Sequence, residues 1–205
     1  MPILFLGIFF TLAFSWTGLI LMSQIQFGYI ERAAIEENDP LYPLKISGIA
    51  LQGKNVYREL GCIYCHSQQV RRKGFGSDYH RGWGDRQTVP RDYILQERVM
   101  LGTMRTGPDL MNVGQRISSY DWHYLHLFDP NLTSPGSLMP KFQYLFKTQK
   151  IKNNTTVNAL KFPANYQNQP PAGYEIIPTD RASQLVEYLL SLRLDYEFPE
   201  SKFYK

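Results

Sequence analysis

Cysteine is scarce: the 205 residues include two, Cys62 and Cys65, too few for a disulfide framework and a poor spacing for a disulfide with each other. A structural zinc site needs further Cys or His ligands, usually in a second paired cluster. No more cysteine exists, and His80, His123 and His126 do not make such a cluster. Charge of one sign is also limited. The formal net charge is +4 with no nucleic-acid motif beside it, so nucleic acid is not an expected partner. No general base, nucleophile or phosphate-binding loop stands out. The glycines of "GFGSDYHRGWG" (74–84) lack both a strand-turn-helix context and a phosphate-binding lysine. No catalytic residue is therefore assigned, and the chain is not expected to be catalytic on its own.

Charge is missing altogether from "ILFLGIFFTLAFSWTGLILM", residues 3–22, and the first charged side chain is Glu31. Twenty residues at 1.5 Å rise span about 30 Å, the thickness of a bilayer core. A cleaved signal peptide would carry a basic flank and a small-residue cleavage site, and neither is present. Residues 1–30 therefore read as a transmembrane signal anchor in the lipid bilayer. Gly7, Thr11, Ser15 and Gly18 form a stripe of small residues on it, suited either to close helix approach or to an ordinary membrane helix. Arg32 and Lys45 follow the helix, so charge counting alone favours a cytoplasmic C-terminal side.

What is present begins with a linker, residues 31–45, rich in proline and turn-formers. A helix is predicted from Ile46 to Leu60, with Ile49, Gly53, Val56, Tyr57 and Leu60 on one face and Gly61 as its stop. Immediately after comes Cys62-Ile63-Tyr64-Cys65-His66, a C-x-x-C-H pattern. Two thiols on one helical turn can add to the two vinyl groups of one haem while the adjacent imidazole reaches the iron. Covalent haem c is attached on the outer side of bacterial membranes. This reading overrides the charge count: it places Met1 inside and residues 46–205 outside, as a haem domain on the periplasmic side of a bacterial cytoplasmic membrane.

For the far side of the iron the candidates are Met100, Met104, Met111, Met139, His80, His123 and His126. Trp122, Leu125 and His126 are expected to face inward on a short helix capped by Ser118 or Ser119. Met139 sits in "SPGSLMPKF", an irregular Pro- and Gly-rich loop able to bring a thioether against a flat face, and it is the expected second axial ligand. Between Arg71 and Arg116 nine Arg or Lys face five Asp or Glu. That local excess suits haem propionates, an acidic redox partner or a solvated basic face. Arg71, Arg105 and Arg116 are the propionate candidates, with Arg105 favoured.

Together these segments resemble the class I cytochrome c fold. Gly53 and Tyr57 of "GKNVY" match its N-terminal helix, and Tyr188 with Leu189 match the C-terminal helix that crosses it. "GPDL" (107–110) resembles the family's G-P-x-L, which implies a hydrogen bond from His66 to the Pro108 carbonyl. The fold class expected is mainly α, a membrane helix followed by a cytochrome c-like haem domain with long loops.

"GCIYCHSQQVR", "RTGPDLMNVGQR", "DWHYLHLFDP" and "SLMPKFQYLF" further resemble, in order, the monohaem subunit of cbb3-type cytochrome c oxidases. That resemblance implies one haem c and a haem-copper catalytic subunit as membrane partner. It also implies a dihaem or soluble cytochrome c as electron donor, and a calcium ion near the subunit interface. Residues 67–106 match it only loosely, and the polar stretch 147–178 is longer than the fold needs. Two alternatives share most of these features: a nitric oxide reductase cytochrome c subunit and a free-standing anchored carrier. A haem-based gas sensor is a third.

Overall fold

The computed structural model describes residues 2–202; Met1, read above as the inner end, lies outside the described residues, as do residues 203–205. Two compact units emerge. One holds the described residues up to Leu44 with Val89–Val99, and the other Lys45–Thr88 with those from Met100 on.

In the first unit, α1 (Pro2–Phe27) is 26 residues long, mostly apolar and unburied, and by length and composition it can cross a membrane. Its hydroxyls turn back onto its own backbone, Thr11 to the Gly7 carbonyl at 2.8 Å and Thr17 to the Ala13 carbonyl at 2.8 Å. Satisfied in this way, they cost little in an apolar medium. The helix widens to a π turn at Thr17–Leu21. Beyond α1, Ala33 and Tyr42 exchange backbone hydrogen bonds of 3.0 and 2.8 Å, closing the linker into a narrow loop. Residues 89–99, loosely matched in sequence, belong to this unit, where the Arg91 guanidinium donates to the Glu31 carbonyl.

The second unit is built on two crossing helices, α2 (Gly48–Glu59) and α5 (Asp180–Ser191). Ser47 caps α2 by accepting from Ala50 N at 3.1 Å, and Gly61 ends it at φ 72°, a conformation that favours glycine. Where the helices cross, a Cβ on residue 53 would lie 1.8 Å from the Gln184 carbonyl oxygen. The absent side chain is thus what allows the backbones to touch. Tyr57 and Tyr188 meet edge to face beside this point, centroids 5.5 Å apart. Between α2 and α5 in sequence come the single turn α3 (Val113–Arg116) and α4 (Tyr120–Phe128). Ser119 caps α4 through Trp122 N at 3.2 Å. Its most buried residues are His123, Tyr124, Leu127 and Phe128, whereas Trp122, Leu125 and His126 are half-buried. The inward face is therefore offset from the sequence reading, because Tyr124, Leu127 and Phe128 enter the core that Val56, Leu185, Val186 and Leu189 share.

The long polar stretch is ordered by its ends. Strands β1 (Phe146–Lys150) and β2 (Tyr174–Pro178) pair antiparallel, Phe146 opposite Pro178 and Lys150 opposite Tyr174. Lys147, Thr148 and Lys150 of β1 are exposed while β2 buries Glu175 next to Ile176, so no alternating strand pattern shows in the sequence. Between them Phe162 stacks on Tyr166 at 5.0 Å and packs edge to face on Phe128 at 5.3 Å. The chain is thus mainly α, an apolar N-terminal helix preceding a globular helical domain with long loops.

Candidate functional site

The end of α2 delivers the cysteines. After Gly61 the chain makes one tight turn, Cys62–Tyr64, in which Cys65 N and His66 N both donate to the Cys62 carbonyl, at 3.2 and 3.0 Å. The thiols therefore sit on consecutive corners of one turn, Cys62 half-buried and Cys65 exposed. Burial pushes the Cys62 thiol up to about 12.

His66 is held on two sides. Its Nδ1 donates to the Pro108 carbonyl at 2.8 Å, since that oxygen can only accept. This fixes the tautomer and leaves Nε2 with a free lone pair. Burial lowers the affinity of the ring for a second proton, the Pro108 bond opposing it in part. The ring lies against the backbone of Gly107, where a Cβ would stand 2.3 Å from Cε1. Gly107 N in turn donates to the Cys65 carbonyl at 2.9 Å, and Leu110 N to the Ser67 carbonyl at 2.8 Å. Segments 65–69 and 107–111 are thus laced together by their backbones.

A buried ionic network lies behind this lacing. Asp109, fully buried, accepts from Ser67 Oγ at 2.6 Å, Gln69 N at 2.7 Å and Met111 N at 2.9 Å. Burial raises its pKa, and the hydrogen bonds and Arg105 pull it back. Arg105 donates from Nε to Ser67 Oγ at 2.7 Å, from Nη2 to the Gln69 carbonyl at 2.6 Å, and from Nη1 to buried Asp78. Its guanidinium is thus already engaged by protein. Arg116 differs: Nη2 donates to the Asp109 carbonyl at 2.7 Å, while its buried Nε meets no protein acceptor. The Arg71 side chain is exposed.

Met139 is half-buried and, with Cys62, Ile63 and Leu110, borders the core cluster. Its loop is fixed by Gly136 N on Asn131 Oδ1 at 2.9 Å and Phe142 N on the Leu127 carbonyl at 2.8 Å. Among the other candidates, Met100 and Met111 are buried and Met104 is exposed. His123 gives its Nε2 proton to the Ile117 carbonyl at 2.9 Å, which removes that nitrogen from use as a ligand. His126 stacks on Trp122 at 4.6 Å, and its Nδ1 bonds Thr133 Oγ1 at 2.6 Å. Burial, then the nearby His123 and His66 rings, push it down to about 4.

Two thiols on one turn, a histidine with an oriented free Nε2, and a buried arginine nitrogen without a protein acceptor form a donor set that fits a haem. Ser67, Asp78 and Asp109 had no sequence signal beyond the D of "GPDL". The sequence matches the family described as "Cytochrome C oxidase, mono-heme subunit/FixO" over residues 2–187. No curated protein matches it.

Proposed function

The chain belongs to the mono-haem subunit family of cytochrome c oxidase, and from that membership we propose that it relays electrons to the oxidase's catalytic subunit. The donor is a dihaem or soluble cytochrome c. The acceptor is haem b, ahead of the haem b3–copper site that reduces oxygen to water. Membership itself carries one haem and a catalytic oxidase partner, and the apolar helix α1 fits a single-pass membrane protein.

The observation that best supports the relay is His66, its Nδ1 bound to Pro108 and its Nε2 left for iron. Cys62 and Cys65 would hold the haem through thioethers, His66 and Met139 would take its two axial positions, and the group supplies a one-electron iron couple. The Pro108 carbonyl makes the imidazole a stronger donor and fixes its plane. Arg116 offers its unpartnered Nε to a propionate, and Arg105 stands on the same side with donors shared among Asp78, Ser67 and Gln69. Residues 46–205, apart from the segment 89–99 that packs with the first unit, would form the haem domain after the anchor (1–30) and linker (31–45). They lie on the outer face of a bacterial cytoplasmic membrane, where thioether attachment takes place. A calcium ion at the interface with the catalytic subunit belongs to the same proposal.

Haem staining after denaturing electrophoresis tests the attachment. The wild-type chain is expected to retain stain, and Cys62→Ser with Cys65→Ser to lose it; stain retained by the double variant would refute the thioether assignment.

A further inference from the structure

We propose that Asp109 is a positioning residue for the haem ligand His66 and, as a buried carboxylate, sets the haem's reduction potential from the proximal side. The inference rests on the haem reading above but concerns a residue that reading does not use.

The geometry gives Asp109 two tasks. It clamps the proximal side, because one oxygen takes Ser67 Oγ and Gln69 N, immediately after His66, while the other takes Met111 N, just beyond Pro108. The two segments that form the His66–Pro108 bond are thereby tied together by one side chain. Hydrogen bonds to both faces of the imidazole's support leave the ring little room to turn away from the Pro108 carbonyl.

Its second task is electrostatic. Backbone N–H donors on both Asp109 oxygens and the nearby Arg105 guanidinium favour its ionised form against burial. Asp78 adds a second buried carboxylate, and Arg105 stands between them, its Nη1 on Asp78 and its Nη2 3.6 Å from Asp109 Oδ2. Arg116 Nη2 is engaged by the Asp109 carbonyl, not by its carboxylate. A buried negative charge close to the ligand stabilises ferric over ferrous iron, because oxidation adds positive charge. The clamp acts in the same direction, since a secure Nδ1–H bond increases imidazole basicity. Removing the charge therefore raises the potential on both counts.

The test is a redox titration of the haem c α-band in the detergent-purified complex, comparing wild type with Asp109→Asn and Ser67→Ala. Asparagine keeps the shape and removes the charge; the expected result is a rise of about tenfold in the ferrous-to-ferric ratio at fixed potential, about 59 mV for one electron. Ser67→Ala keeps the charge and removes one clamp bond, and its potential is expected to rise by less. If the asparagine variant fails to load haem, Ser67→Ala decides. Potentials at or below wild type in the variants that load haem overturn the inference. Absence of covalent haem c from the wild-type chain overturns instead the reading on which it rests.

Discussion

At the scale of single residues, Met139, the proposed second ligand, would separate a haem that is merely attached from one that is correctly ligated. The proposed thioethers of Cys62 and Cys65 would not depend on it, so Met139→Ala should keep a covalent haem. It should lose the ferric methionine charge-transfer absorption band, fall in potential and slow turnover of the complex. A band unchanged in that variant would remove Met139 from the iron. His126 gives a second prediction, on acid stability. Its folded pKa of about 4 lies below the unfolded value of 6.5, so stability is fully present above pH 6.5 and is lost as pH falls toward 4, where the unfolded chain binds a proton that the folded one excludes. The total is at most about 3 kcal/mol. In His126→Gln, chemical denaturation should show a shallower fall in stability between pH 6.5 and 4 than in wild type; equal slopes would place the acid sensitivity elsewhere.

At the scale of elements, the crossing of α2 and α5 holds the domain together, and it tolerates nothing larger than hydrogen at residue 53. Gly53→Ala should lower stability by about 1–3 kcal/mol, the usual range for overpacking a tight contact. A thermal or denaturant midpoint of the haem-loaded chain equal to wild type would show that the helices can part without loss. This crossing was legible through the resemblance of "GKNVY" and Tyr188 to the crossing helices of the cytochrome c fold, a contact that needs a missing side chain and paired aromatics. The turn carrying Cys62, Cys65 and His66 could be named in advance from its C-x-x-C-H spacing, and the Gly107–Pro108 turn from its resemblance to the family's G-P-x-L. The pairing of β1 with β2 could not, because Lys147, Gln149 and Lys150 look like loop until a partner strand is known. Nor could the Asp109 clamp, whose donors Ser67 and Gln69 come from a distant stretch of chain that only the fold brings beside it.

At the scale of the whole molecule, the chain joins a helix able to cross a membrane to a helical domain whose donor set fits one haem. The claim that carries most weight is therefore the identity of the neighbour. The most direct measurement is gentle purification of the full chain from native membranes through a C-terminal tag, with haem c, haem b and copper quantified in what accompanies it. The account predicts haem c together with haem b and copper, and cyanide-sensitive oxygen uptake in the same fraction. Haem b with non-haem iron and no copper would contradict it and place the chain with nitric oxide reductases. Haem c alone, even after crosslinking before solubilisation, would contradict it as well and leave a free anchored carrier.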